Sequence, residues 1–390
     1  MHALREECWL NSRERVIAAL EHREPDRVPI DLGGSVSSIH WFAYKTLTQF
    51  LGLDLDIRIG DKIQQLAVLD APVLERLGVD IRHVSLKKGF FIGGEDRLDD
   101  PSGRAYFIDD WGIKWAKNPY YYDMVDHPLK DATTEDLERY PWPDPSDPAR
   151  YDGLREDVKH LYEGTEYAIV ADAIFGGLFE CAWWLRGFER FNVDLHKRPD
   201  FATGLLDKIL ELYLGFYGRY LDAVGDRVEM VELGDDLGAQ TGPIISPQMF
   251  RKYLKPRYKK LYDFIHSKTK AKVFHHSCGA VYPFIRDLIE VGVDVLNPIQ
   301  PRAAMMDIGR IKREFGGLLS LHGGVDIQRV LPYGTAEDVA AEVKRVIGLG
   351  ARGGGYILAG AHNIQADTPV ENIWAMFEAA KTYGVYPIRA

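Results

Sequence analysis

The sequence predicts an α/β protein of the (β/α)8, or TIM, barrel class, with an N-terminal helix and a long insertion after the second strand. Three observations predict it. Eight short runs rich in Val, Ile and Leu recur along the chain, segments of helical periodicity separate most of them, and polar residues collect where the runs end. Short apolar strands suit a parallel sheet buried on both faces, and alternation with helices suits closure into a barrel. The competing doubly wound sheet is disfavoured because no G-x-G-x-x-G follows the first strand.

The opening helix runs through Ser12–His22, capped by Asn11 or Ser12, with Val16, Ile17 and Leu20 at helical spacing. Pro25 and Pro29 bracket a turn, and the first strand is Val28–Leu32, ending at Gly33-Gly34. The other seven strands are expected at Val79–Val84, Tyr167–Ala171, Val228–Leu233, Lys272–His276, Val293–Asn297, Leu318–Leu321 and Tyr356–Ala359. Helices are expected at Asp200–Leu221, Pro247–Ser267, Tyr282–Glu290, Met305–Glu314 and Ala336–Leu349. Phe175–Phe188, with Phe179, Trp183 and Trp184, reads as a packing helix. Gly353–Gly355 reads as a helix end leading into the last strand.

The insertion spans Leu86–Glu166. Alternation over Arg104–Lys117 suggests a hairpin, and Pro128–Arg150 reads as surface loop and short helix. The aromatic stretch Asn118–Asp123 suits a substrate mouth, an interface or plain packing equally well. The whole chain, 1–390, reads as one domain.

Composition narrows the function. With 46% hydrophobic and 27% charged residues, the chain is an ordinary globular protein, and a net charge of −10 disfavours a nucleic-acid or anionic-membrane surface. No run approaches the roughly 20 apolar residues of a membrane span, and no apolar signal core opens the chain. A cytoplasmic protein is expected. Three cysteines, Cys8, Cys181 and Cys278, are too few and too scattered for a disulfide framework.

Barrel enzymes place their chemistry at the C-terminal ends of the strands. Those positions carry Asp31, Asp172, Glu232, Asp235, Asp236, His275, His276, Cys278, Asn297, Gln300, His322, His362 and Gln365. Residues two apart in an extended segment face the same side, so His276 and Cys278 can share one metal while His275 points away. Imidazole nitrogen and thiolate sulfur suit zinc, at about 2.0–2.3 Å. Barrel closure brings His362 toward the same mouth, and three protein ligands leave zinc an open position for catalysis. His322 is the reserve ligand. Asp236 and Glu232 are the candidate catalytic carboxylates. Asp31, Asp172, Asn297, Gln300, His322 and Gln365 are the candidate substrate-binding residues.

From Ser12-Arg-Glu-Arg-Val-Ile-Ala-Ala-Leu to its end the chain resembles the uroporphyrinogen decarboxylase superfamily. Glu24-Pro-Asp-Arg-Val-Pro-Ile, Ile245-Ser-Pro, Lys255-Pro-Arg and Asp367-Thr-Pro-Val-Glu-Asn-Ile carry the likeness. The resemblance implies a (β/α)8 barrel and one of two chemistries. Decarboxylases of the family have an arginine-rich loop after the first strand and an aspartate after the second. Here those places read Asp31-Leu-Gly-Gly-Ser-Val-Ser-Ser-Ile-His40 and Val84-Ser-Leu-Lys-Lys88, with neither. The other branch passes methyl groups to or from corrinoid proteins, including transfer to coenzyme M, with a zinc pattern of H-x-C and a distant Cys. His276 and Cys278 match the first part, and His362 stands where the distant Cys would be.

The resemblance therefore implies a zinc-dependent methyltransferase acting on a small-molecule methyl donor or acceptor. Demethylation of a methoxy compound is the first direction to consider, because a second imidazole in place of a thiolate makes the zinc a stronger Lewis acid. The corrinoid would arrive on a partner protein, and a homodimer is compatible with the fold. Two alternatives stay open: a lyase acting on a carboxylated substrate, with Lys87, Arg186 and Arg302 as its basic clamps, and a non-catalytic small-molecule-binding barrel.

Overall fold

The computed structural model describes residues 9–90, 94–99 and 102–389; Cys8 lies outside them. Seven parallel strands form one sheet: Ile81–Val84, Ala168–Ala171, Met230–Gly234, Lys272–His276, Val295–Asn297, Ser320–His322 and Tyr356–Ile357, each paired with its successor in the chain. Residues 28–32 close it. Ile30 bridges Leu358 on one side, and on the other the Asp80 N–H donates to the Ile30 carbonyl. This eighth stave of the (β/α)8 barrel is a bridge rather than a full strand for a local reason. The Ile30 N–H is taken by the Asp80 carboxylate at 2.9 Å, and Pro29 has no N–H to give.

Strand alternation sorts the barrel interior into two layers. Ile81, Ala168, Val170, Met230, Phe274, Val295 and Ile357 point inward as one apolar cluster. Val16 and Leu20 of the first helix, Ser12–Leu20, join the same cluster, and Asn11 caps that helix through a reciprocal box with Glu14. Two residues further along most strands the inward side chains become polar: His83 beyond Ile81, Asp172 beyond Val170, Glu232 beyond Met230, His276 beyond Phe274 and Asn297 beyond Val295. The functional layer is thus stacked on an apolar plug by the two-residue repeat alone.

The helices lie near their expected places, at Pro199–Val224, Lys255–Lys268, Ile285–Val291, Ile308–Phe315 and Ala336–Gly350. The segment expected as one helix over Pro247–Ser267 opens into a wide five-residue turn at Phe250–Leu254, just before Pro256, whose missing N–H removes one rung of the regular ladder. Helices Trp41–Phe50 and Ala71–Leu77 had no counterpart in the sequence reading.

In the insertion, Tyr106–Ile108 and Lys114–Lys117 form the expected hairpin, and Tyr122–Asp126 adds a third antiparallel strand. Asp109 builds the turn by accepting the N–H groups of Trp111 and Ile113 and the indole N–H of Trp115. Trp111 stacks on Phe175, and Phe90 packs against Trp111, Phe175 and Phe216, so the insertion docks on the barrel through aromatic rings. The last part of 86–166 is the helix Leu154–Gly164, placed between two barrel strands as a connecting helix is. Among the described residues no helix is long and apolar enough to cross a membrane.

Candidate metal centre

His276 ends its strand, Cys278 follows in the loop, and His362 lies beyond the last strand. The structure brings a ligand atom from each within 4.8 Å of the others. Cys278 Sγ is 3.4 Å from His276 Nε2, and the rings of His276 and His362 are 5.3 Å apart, edge to face. Burial and then the neighbouring His276 ring, against the pull of Asp236, lower His362 to about 4. Burial likewise lowers His276 to about 4, against its bond to Asn297. Both imidazoles are therefore neutral near pH 7 and keep a lone pair. Burial raises the Cys278 thiol well above its ordinary range. A cation would supply the charge that a buried thiolate lacks. The Gln300 amide already donates to this sulfur at 3.3 Å, and the donor set fits zinc.

The loop is held by Asp236, which accepts the Cys278 N–H at 2.7 Å and lies 3.6 Å from His276 Nε2. Gln300 accepts the Gly279 N–H at 2.7 Å. His275 faces the helix layer, where the Tyr262 hydroxyl meets its Nδ1 at 2.7 Å.

A cavity of about 540 Å³ opens over this centre. Trp115, Tyr122, Phe175, Trp183 and Trp184 form aromatic walls, while Glu180, Glu232 and Asp236 supply the acidic groups beside His276 and His362. No arginine or lysine lines it among the described residues. The proposed clamps are engaged elsewhere: Arg186 with Asp194 and three carbonyls, Arg302 with Asp326, and Lys87 with Asp157. The helix expected from Phe175–Phe188 is Leu178–Arg186. It buries Phe179 in the core and turns Trp183 and Trp184 to the cavity.

Asp235 positions that wall. Fully buried, it accepts the N–H groups of Phe179 and Glu180 at 2.7 and 2.8 Å, together with the Tyr258 hydroxyl. From just beyond the strand Met230–Gly234 it caps this helix through two backbone N–H groups, and burial pushes its carboxyl up to about 7. Gly177 makes the approach possible, since a Cβ there would lie 2.1 Å from the Asp235 carboxyl carbon.

Four residues expected to face substrate engage one another, and Asp172 also lines a second cavity of about 360 Å³ together with His83. Asn297 Nδ2 meets His322 Nδ1 at 2.8 Å, and His322 Nε2 meets Asp31 at 3.0 Å. His83 joins Asp31 to Asp172, at 3.0 and 2.7 Å. Burial opposes a charge on His83, but the two carboxylates outweigh it and hold the imidazole well above its ordinary range. Burial would raise Asp31; His83 and His322 bring it below the usual carboxylate range instead. Gly34, at φ +64°, gives His83 its room, because a Cβ there would lie 2.6 Å from Nδ1.

Glu232 accepts from the Ser35 hydroxyl at 2.7 Å, its second oxygen has no partner, and burial and then Asp172 push it up to about 8. His83, Asp172 and Glu232 also have ligand atoms within 4.8 Å of one another. Gln365 bonds the Tyr121 hydroxyl and the Asn363 carbonyl, beside His362 in a smaller cavity of about 270 Å³.

The sequence reading missed His83, Glu180 and Trp115. His83 was within reach of the two-residue repeat from Ile81, whereas Glu180 and Trp115 arrive from a helix and an insertion whose docking no local pattern encodes.

Residues 123–383 match the profile of the family described as uroporphyrinogen decarboxylase (URO-D), well over half of the chain. The chain belongs to the uroporphyrinogen decarboxylase family. Within it, the chain is 25% identical over 277 residues to the methylcobamide:CoM methyltransferase MtbA of Methanosarcina mazei, covering 70% of this chain and 75% of that one. It is 29% identical over 159 residues to MtaA of Methanosarcina barkeri, 40% of this chain and 44% of that one. A uroporphyrinogen decarboxylase of Geobacter sulfurreducens is 22% identical, over 65% and 71% of the two chains. A solved methyltransferase from Methanosarcina mazei shares the fold, with a TM-score of 0.65 at 20% identity, covering 96% of this chain and 99% of that one.

Proposed function

We propose that this single-domain barrel is a zinc-dependent methyltransferase that moves a methyl group between a small-molecule heteroatom, first of all a methoxy oxygen, and the cobalt of a separate corrinoid protein. One observation carries the reading: the convergence of His276, Cys278 and His362 on the wall of an aromatic cavity with no arginine or lysine among the described residues that line it. The methyltransferase relatives supply the class of reaction. The lack of an arginine or lysine among the described residues lining this cavity favours methyl transfer over a lyase acting on a carboxylated substrate.

When bound, zinc supplies Lewis acidity to the heteroatom that gains or loses the methyl group. In demethylation the C–O bond breaks as the cobalt(I) lone pair forms the cobalt–carbon bond, and the oxygen keeps the bonding pair and takes one proton. The chain's own residues set up that step. Trp115, Trp183 and Trp184 hold the apolar body of the donor and exclude water. The Gln300 amide and the Asp236-bound backbone hold the Cys278 sulfur. Asp236 carries the proton, with Glu180 and Glu232 as further acids on the same cavity wall.

The test is turnover of the zinc-reconstituted protein with free cob(I)alamin and a panel of aryl and alkyl methyl ethers. Metal-dependent formation of methylcobalamin, lost in Cys278→Ser, is the expected outcome. No methyl transfer across the panel, with carbon dioxide released from a carboxylated substrate, would overturn the reading in favour of a lyase.

A further inference from the structure

The polar layer of the barrel is a continuous hydrogen-bonded chain, and its carboxylates together with the Asn297 amide set the direction of its bonds. Carboxylate oxygens accept, and the chain ends on those of Asp31 and Asp172. His83 must donate from Nε2 to Asp31 and from Nδ1 to Asp172, which makes it an imidazolium. His322 must donate from Nε2 to Asp31. Asn297 turns its NH₂ to His322 Nδ1, which therefore accepts, and its oxygen to His276. That oxygen, 2.5 Å from His276 Nδ1, can only accept. The hydrogen of His276 therefore sits on Nδ1, and its Nε2 lone pair faces Cys278 and the cavity. The opposite polarity would place the hydrogen on Nε2 and take that lone pair away from any metal.

We propose that Asn297 and His322 are positioning residues that transmit the polarity of the buried Asp31–His83–Asp172 triad to His276, locking it in the one tautomer that can ligate a metal through Nε2. The inference rests on the metal-centre reading above. It also removes His322 from the reserve ligands, since both ring nitrogens are committed, and it gives Asp31, Asp172 and Asn297 a task other than contact with substrate. The three strands make the arrangement rigid. Asn297 is the register partner of His276, the neighbouring strands pair Leu296 with Leu321, and Asn297 and His322 are both fully buried. A partner on the remote nitrogen of a metal-binding histidine fixes its ring orientation, and its loss typically costs about 10–100-fold in metal affinity.

Two measurements test this. Nitrogen NMR of ¹⁵N-histidine-labelled protein near pH 7, assigned by single histidine substitutions, or neutron diffraction, reads the proton positions without any metal. The expected result is hydrogen on Nδ1 of His276, on Nε2 alone of His322 and on both nitrogens of His83. Hydrogen on Nδ1 of His322 would overturn the proposal. The second measurement is zinc affinity by chelator competition in Asn297→Leu and Asn297→Asp. The leucine variant loses the acceptor and is expected to bind about 10–100-fold more weakly. The aspartate variant keeps the acceptor and is expected to stay within about 10-fold of the parent.

In Asn297→Asp, His322 would face carboxylates at both nitrogens, so its spectrum should change to that of an imidazolium. A merely structural role for Asn297 would not produce that change. Unaltered affinity in the leucine variant, or an unaltered His322 spectrum in the aspartate variant, would overturn the proposal. Expected proton positions in a parent protein that binds no zinc would instead sink the metal-centre reading.

Discussion

Replacing Glu232 by Gln should make the protein more resistant to unfolding at alkaline pH and leave it little changed at acid pH. Glu232 is fully buried, holds one hydroxyl donor, and shares its surroundings with Asp172 and Asp31, whose charges His83 only partly offsets. Its carboxyl is pushed from 4.5 in the unfolded chain up to about 8 in the folded one. A group with a raised folded pKa binds its proton more tightly in the native state. For a carboxyl this means that stability falls as pH rises between the two values. The loss is about 1.4 kcal/mol per pH unit, up to about 5 kcal/mol across the whole window. The neutral amide of the Glu232→Gln variant has no such dependence. Urea unfolding of both proteins from about pH 5 to about pH 9 should therefore give curves that meet near the acid end and diverge by several kcal/mol at the alkaline end. Parallel curves would refute the reasoning, because they would mean that Glu232 is ionised in the folded protein at every pH examined.

Other substitutions probe the scaffold and the centre. Asp80→Asn should cost about 3–5 kcal/mol, measured by urea unfolding. The fully buried carboxylate holds Arg15 and Arg27, both at 2.7 Å, and caps the Ile30 N–H at the closing segment. A change under about 1 kcal/mol would show that barrel closure does not depend on it. Gly177→Ala should destabilise by about 1–3 kcal/mol or more through overpacking against Asp235, and should weaken donor binding because Trp183 and Trp184 ride on the helix that Asp235 caps. A melting temperature equal to the parent's would contradict that packing.

Much of the architecture was legible because the barrel is built from local patterns. The eight Val-, Ile- and Leu-rich runs all become barrel staves, since a strand buried on both faces leaves a continuous apolar signature. His276 and Cys278 could be read as sharing a side from their spacing, and His362 could be placed at the same mouth because a closed barrel brings its strand ends together. Partnership was not legible. Nothing in the sequence says that Asn297 turns to His276 and His322 rather than to a ligand, or that Asp235 caps a helix more than 50 residues earlier. These contacts depend on register between strands. His83 lies inside an apolar strand rather than at its end, and only the two-residue repeat from inward-facing Ile81 marks it as a member of the polar layer. The wide turn before Pro256 was hidden in an otherwise regular helical pattern.

The central claim is a single metal held by His276, Cys278 and His362, and the most direct test is metal content after zinc reconstitution and gel filtration. The parent protein should retain about one zinc per chain, and His276→Ala, Cys278→Ser and His362→Ala should each lose it while keeping the parent's circular dichroism. A folded parent protein that retains no metal, or three variants that bind zinc as the parent does, would contradict the account.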